Sequence, residues 1–355
     1  MKKRIENLRK VLGKGEAALI TGDTNRLYFT GFKSSAGAVL ITKNSAFLLI
    51  DFRYFKKAEE EIKHLEVRLA KRLYSEIAEI LKREDIKNIF IETDTVTLDG
   101  IRALRKAFSD FNVSEDGLIS KTITEMRSIK TKNEISQIKK AQALTDDAFS
   151  YILDFIKPNV TEKEIALKME FFMRQRGSEG IAFDFIVVSG KNSSLPHGVP
   201  TDKKIEKGDF VTMDFGGVCG GYRSDMTRTV AVGFVTESQR AVYETVLKAQ
   251  QSALDVIKPD VKCIDIDKTA RDIITNAGYG DYFGHGLGHS VGLEIHENPA
   301  CNTRDETPLK EGMVMTVEPG IYLPNEFGVR IEDMVVVIDG GYSNLTKSPK
   351  ELIIL

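Results

Sequence analysis

The chain has 355 residues, 42% hydrophobic and 29% charged, and its 50 basic and 52 acidic side chains leave a net charge of −2. That near-balance excludes an electrostatic surface built for nucleic acid or an anionic membrane, and the length predicts two domains in place of one small core. Three scattered cysteines (Cys219, Cys263, Cys301) form no C-x-x-C pair, which argues against a disulfide framework and for a reducing cytoplasm.

The N-terminal MKKRIENLRKVLGKG is basic but lacks the apolar segment of a signal peptide. No apolar run in the chain approaches the ~20 residues a membrane helix requires. The first third alternates short apolar runs, EAALI (16–20), AGAVLI (36–41), AFLLI (46–50) and NIFIE (88–92), with helical patterns at 74–84 and 97–108. This rhythm predicts a compact α/β domain. It breaks across 112–130, and the reading divides the chain into domains 1–123 and 124–355. Two amphipathic helices are expected next, over about 131–156 and 161–177, the second opened by a capping box of Thr161 and Glu164.

Beyond these helices the chain repeats itself. IKPNV (156–160) returns as IKPDV (257–261), and KGDFVTMDFGG (207–217) returns as EGMVMTVEPGI (311–321) at a constant spacing of 104 residues. Gly208 then matches Gly312, Thr212 matches Thr316, and Asp214 matches Glu318. A little further on, GYRSDM (221–226) resembles GVRIEDM (328–334), so that Asp225 matches Glu332. Two copies of one supersecondary unit are expected, each placing carboxylates in strands at equivalent points. If the copies pack about a pseudo-twofold axis, four carboxylates converge and repel one another unless cations neutralise them.

The stretch GHGLGHSVGLEIHE (284–297) holds three of the five histidines, His285, His289 and His296. Imidazole at this density points to a metal or a proton-transfer site. Adding His289 to the carboxylates gives a mixed oxygen and nitrogen set suited to divalent Mn, Co, Fe or Zn and too poor in nitrogen for structural zinc. Such a set can bridge two ions ~3.5–4 Å apart. A single strand carboxylate usually faces solvent; the conjunction of repeat, carboxylates and rare histidines carries the reading.

Together the motifs SSLPHG (193–198), VTMDFGG (211–217), SDMTRTV (224–230), GHGLGHSVGLEIHE, TVEPGIY (316–322) and GVRIEDM resemble those of the pita-bread metallopeptidases. That group includes Xaa-Pro aminopeptidase, prolidase, methionine aminopeptidase and creatinase. LYFTGF (27–32) and DFRY (51–54) are similar to the creatinase/prolidase N-terminal domain. The resemblance implies an α+β chain: an N-terminal α/β domain of that type, then a pita-bread domain with an internal pseudo-twofold repeat. It implies two divalent ions, Mn first with Co, Fe or Zn as alternatives, held by Asp214, Asp225, His289, Glu318 and Glu332. Asp225 and Glu332 would bridge.

Other positions follow from the same likeness. His197 would hydrogen-bond at the reaction centre, and His285 and His296 would act as donors to the carbonyl being cleaved. Glu318 would pass a proton from water to the leaving nitrogen. Arg330, two residues from Glu332 and so on the same face of a strand, would support the ligands, and Phe183 would wall a proline pocket. His64 matches nothing and reads as a surface residue, and Cys301 reads as packing.

The implied activity is hydrolysis of the Xaa-Pro bond at the N-terminus of proline-containing peptides, by a cytoplasmic homodimer. Prolidase, the Xaa-Pro dipeptidase, is the alternative on the same scaffold. Prolidases tend to carry an arginine after the HE-x-P motif to hold the dipeptide carboxylate, and HENPA (296–300) puts Ala300 there. That favours the aminopeptidase, although Arg304 or another residue could substitute. Methionine aminopeptidase is disfavoured by the N-terminal domain, and creatinase by the survival of all five ligands. A non-catalytic peptide-binding or protein-binding module is the reading from a different class; such relatives have eroded ligand sets.

Overall fold

In a computed structural model describing residues 1–355, the apolar runs of the first third become strands, because each can be buried along nearly its whole length in a covered sheet. They are Glu16–Ile20, Ala38–Thr42, Ala46–Ile50 and Asn88–Ile91. Their sheet has six strands, in the order Glu66–Leu69, Ala46–Ile50, Ala38–Thr42, Glu16–Ile20, Asn88–Ile91, Asn112–Ser114. The two edge strands carry no apolar run and escape a reading by hydrophobicity. Helices Leu73–Arg83 and Leu98–Ala107 send Ile77, Ile80, Leu81 and Leu104 into the same core. This unit, Met1–Arg127, is one of two into which the chain divides.

His64 departs from expectation. It is half-buried, with Nε2 2.8 Å from the carbonyl oxygen of Phe29, and burial holds its pKa below the ordinary value. The chain turns there from helix Phe52–Glu61 into strand Glu66–Leu69, which brings the ring against the last turn of helix Asp23–Thr30.

The second unit, Ser128–Leu355, contains the repeat. Each half opens with two packed helices, Lys132–Leu153 with Glu162–Gln175 and Glu237–Asp255 with Cys263–Asn276. Three of the four start in full capping boxes, from Thr131, Thr161 and Thr236, each cap contributing about 1 kcal/mol. The first helix of the unit ends at Leu153, short of the expected 156 and ahead of Pro158 and the left-handed Asn159 (φ 73°). The second ends before Gly177 (φ 99°).

Equivalent residues of the two halves share backbone conformation. Asn159 and Asp260 have φ 73° and 70°, and Gly208 and Gly312 have φ 89° and 88°. Left-handed backbone is tolerated by Asn, Asp and Gly, which explains why those types occupy both copies. The same pairing of loop to helix recurs: the Asn159 N–H donates to the Ile205 carbonyl at 3.0 Å, and the Asp260 N–H to the Leu309 carbonyl at 2.9 Å.

The first half contributes a three-stranded sheet, with Phe210–Phe215 between Met226–Ala231 and Ile186–Ser189. The second contributes five strands in the order Glu297–Cys301, Gly288–Ser290, Val314–Val317, Asp333–Ile338, Gly341–Asn344, and a hairpin of Gly320–Leu323 with Phe327–Arg330. In each half the repeat-related strand pairs antiparallel with a later one. Two apolar cores lie beneath, around Phe149, Met169 and Phe215 in one case and Tyr243, Leu287 and Phe327 in the other. No helix is long and apolar enough to cross a membrane.

One placement differs from the expectation that all four carboxylates sit within strands. Asp214 does, but Glu318 follows Val314–Val317, Asp225 precedes Met226–Ala231, and Glu332 precedes Asp333–Ile338. At a strand end the backbone leaves the ladder, so a side chain can turn inward without displacing a paired neighbour. Arg330 and Glu332 do not share a strand face as expected: Arg330 ends one strand and Glu332 precedes another.

Candidate metal centre

Asp214, Asp225 and Glu332 meet in the second unit with one carboxylate oxygen from each lying within 4.8 Å of the others. His289, on strand Gly288–Ser290, closes the group, its Nε2 standing 3.3 Å from Glu318 Oε1 and 3.6 Å from Asp225 Oδ2. The five side chains singled out from the repeat and the histidine-rich stretch are therefore neighbours. Four of the five are also oriented from outside. Arg330 reaches Asp214 Oδ2 at 2.6 Å, and the Thr227 hydroxyl donates to Glu332 Oε2 at 2.8 Å. The Thr316 hydroxyl lies 3.3 Å from Glu318 Oε1 and accepts the His289 N–H at 3.0 Å. His289 Nδ1 is 3.1 Å from the Ser290 carbonyl oxygen, which makes Nδ1 a donor and leaves Nε2 facing the carboxylates.

The electrostatics are those of a site that needs positive charge. Burial, then the charge of Glu332, pushes the Asp225 carboxyl well above its ordinary range; burial, then the charge of Glu318, does the same to Glu332. Asp214 is raised by burial too, with Arg330 pulling the other way. Glu318 is the exception: burial would raise it, but the His289 hydrogen bond and charge hold it at about 2. His289 is correspondingly raised against the effect of its burial, so the two shifts describe one ion pair. Asp214 Oδ1 and Glu332 Oε1 are fully buried and lack any hydrogen-bond partner. Burying such groups unpaired is costly; cations of charge two bound by the four carboxylates and His289 offset that cost. The donor set thus fits divalent metal.

A cavity of about 930 Å³ opens on this cluster, walled by Phe183, His197, His285, His296 and Arg304 among others. It is large enough for a short peptide. His197 is exposed, in the loop after the turn Gly190–Ser194. The His296 ring stands edge-on to His289 with centroids 4.5 Å apart. His285 differs from its expected role as a donor, because Nδ1 is 2.8 Å from the Gly286 carbonyl and Nε2 is 3.0 Å from the Tyr322 hydroxyl. Both ring nitrogens are engaged within the protein, so the ring presents a wall to the cavity.

Several residues of the site were not singled out from the sequence. Tyr322 accepts from Arg330 at 2.8 Å and meets His285, linking the two. Asp267, fully buried, receives Arg271 at 2.7 and 2.9 Å and the Leu287 N–H at 3.0 Å, while Arg271 also donates to the Phe283 and His285 carbonyls. This pair fixes the histidine-rich turn from a helix that carries no motif. Tyr322 lies inside TVEPGIY, so a signal existed for it; for Asp267 and Arg271 the only one was an acid and a base four apart on a helix.

Comparison with known proteins follows the same lines. Residues 136–339 match metallopeptidase family M24, and residues 4–129 match the creatinase/prolidase N-terminal domain. The chain is 42% identical to the Xaa-Pro dipeptidase of Pyrococcus furiosus over 359 aligned positions, covering 99% of this chain and 100% of that one. Among solved structures it superposes on an Xaa-Pro dipeptidase from Bacillus anthracis with TM-score 0.95 at 42% identity, covering 99% of both chains. An X-Pro aminopeptidase from Thermotoga maritima gives TM-score 0.91 at 38% identity, over 99% of this chain and 100% of that one. With its pita-bread fold, its N-terminal domain and a carboxylate cluster fitted to divalent ions, the chain belongs to metallopeptidase family M24.

Proposed function

We propose that this protein removes the N-terminal residue from peptides whose second residue is proline, as an Xaa-Pro aminopeptidase. One observation carries the reading: four carboxylates and His289 gather at one side of a cavity of about 930 Å³. Asp214, Asp225, His289, Glu318 and Glu332 are the residues proposed to hold two divalent ions, with Mn preferred for so oxygen-rich a set. When bound, such ions supply Lewis acidity and lower the pKa of water.

The chain's own groups do the rest. Glu318 Oε accepts the proton of the attacking water and returns it to the leaving nitrogen; its depressed pKa belongs to the pair with a protonated His289 and is relieved once His289 is neutral. His296, at the cavity wall and held below its ordinary pKa by desolvation and by the neighbouring His289, is neutral at pH 7. It can then aim one N–H at the oxygen on which charge develops. His197 faces the same space. Arg330 is buried, orients Asp214 and opposes the upward shift that burial gives its carboxyl. Phe183 offers an apolar wall to the proline ring.

The dipeptidase reading is favoured by the likeness to proteins named Xaa-Pro dipeptidase and by Arg304 in the same cavity wall, which could take the carboxylate of a dipeptide although Ala300 occupies the expected place. The deciding comparison is kcat/KM for an Xaa-Pro dipeptide against Xaa-Pro tripeptides and longer peptides with added Mn. The aminopeptidase predicts faster cleavage of the longer peptides, the dipeptidase the reverse, and no cleavage of either sinks both. A cytoplasmic homodimer completes the proposal, by likeness to the family.

A further inference from the structure

The loop that carries His197 leaves strand Ile186–Ser189 and returns to the first turn of helix Glu162–Gln175. At the start of that helix Glu162 is 0% exposed, which is unusual for a residue beside an N-cap, where acids normally sit in solvent. Its carboxylate accepts hydrogen bonds from both ends of the loop. Oε1 takes the Ser189 N–H at 2.7 Å, the Ser189 hydroxyl at 2.9 Å and the Asn192 amide at 3.2 Å. Oε2 takes the Thr201 N–H at 3.0 Å and the Thr201 hydroxyl at 2.6 Å. Between those anchors Leu195 and Val199 are 55% and 75% exposed, and His197 projects into the cavity.

The internal repeat supplies a control within the same chain. In the first half the Glu162 and Lys163 N–H groups donate to the Lys203 and Thr201 carbonyls; in the second the Cys263 and Ile264 N–H groups donate to those of Thr307 and Asp305. The helix start and the returning strand are thus built the same way twice, yet the place of Glu162 is taken by Cys263, a small buried thiol. In the second half Asp305, from the returning segment itself, closes the turn by accepting from the Ala300 and Thr307 N–H groups. The supersecondary unit therefore does not require a buried glutamate at this point. What distinguishes the first half is the loop with His197.

We infer that Glu162 is a positioning residue: its carboxylate clamps the two ends of the 190–200 loop and so fixes where His197 stands over the metal centre. The catalytic part of this inference rests on the reading of His197 given above. A buried carboxylate holding five donors is suited to such work, because each charge-assisted bond is strong and directional. Glutamine cannot replace it, since its NH2 group would face N–H and O–H donors where an acceptor is needed.

The test uses the full-length, Mn-loaded protein. Glu162→Gln is expected to speed amide hydrogen exchange across 190–200 with little change elsewhere and with metal content unchanged. It should lower kcat on an Xaa-Pro tripeptide by about tenfold to a hundredfold, the scale of a small misplacement of a catalytic group. In a His197→Ala background the same substitution should cost nothing further. Thr201→Val, which removes a single donor, should give smaller effects in the same direction and serves if the glutamine variant does not fold. Unchanged exchange in 190–200 overturns the inference, and so does an equal cost with and without His197. A wild-type protein that leaves Xaa-Pro bonds intact overturns the functional reading instead, and the exchange measurement still decides whether Glu162 holds the loop.

Discussion

His289 and His296 come from one fourteen-residue stretch and stand 4.5 Å apart, yet their surroundings assign them different work. His289 is pinned by the Ser290 carbonyl with Nε2 among carboxylates. His296 makes no ion pair with a carboxylate and is exposed at the cavity wall. His296→Ala is therefore expected to retain its metal and lose ~10²–10³ in kcat, the typical effect of removing one donor to a developing oxyanion. Metal analysis beside steady-state kinetics checks this; metal lost in proportion to activity would make His296 a ligand. The candidate ligands were legible because two independent signals, a repeat and a rare residue type, named them. Tyr322 and Thr227 lie inside TVEPGIY and SDMTRTV, but their roles were not legible. Each acts through hydrogen bonds to groups set by tertiary placement, Tyr322 with Arg330 and His285 and Thr227 with Glu332, and such bonds leave no period or composition to read.

At the scale of elements, strands Met226–Ala231 and Asp333–Ile338 follow Asp225 and Glu332 and must keep a fixed relation if those carboxylates are to meet. Arg228 and Asp333 lock them together. Both are buried, their ion pair is 2.8 Å long, and Lys350 and Asn344 reach the other oxygen of Asp333 at 2.7 and 2.9 Å. Removing one partner of a buried pair costs about 3–5 kcal/mol, so Asp333→Ala should lower stability by that order, measured by urea unfolding. The pH dependence has a definite sign. Despite burial, Arg228 and Lys350 hold the Asp333 carboxyl below its ordinary value. Its contribution is thus fully present above about pH 4 and is lost as pH falls through the lower folded value. Asp333→Ala should shed that part of the acid sensitivity, and an acid limb as steep as the wild type's would refute the assignment. The four apolar strands of the first third and the Thr161 cap were readable because burial and capping are local. The edge strands Glu66–Leu69 and Asn112–Ser114 were not, since pairing with a neighbour, not composition, makes them strands.

On the scale of the whole molecule, the five ligand candidates and every residue lining the cavity fall between Phe183 and Glu332, inside the second unit. The chemistry is thus assigned to that unit and to divalent ions held by its repeat. The most direct test is a titration of chelator-treated protein with Mn, following hydrolysis of an Xaa-Pro tripeptide and bound metal together. Activity should be absent at the start and rise to a plateau as bound Mn reaches two ions per chain, while Asp225→Ala, which lacks the proposed bridge, stays inactive throughout. Full turnover in the metal-free protein, or wild-type turnover by Asp225→Ala, would contradict the account.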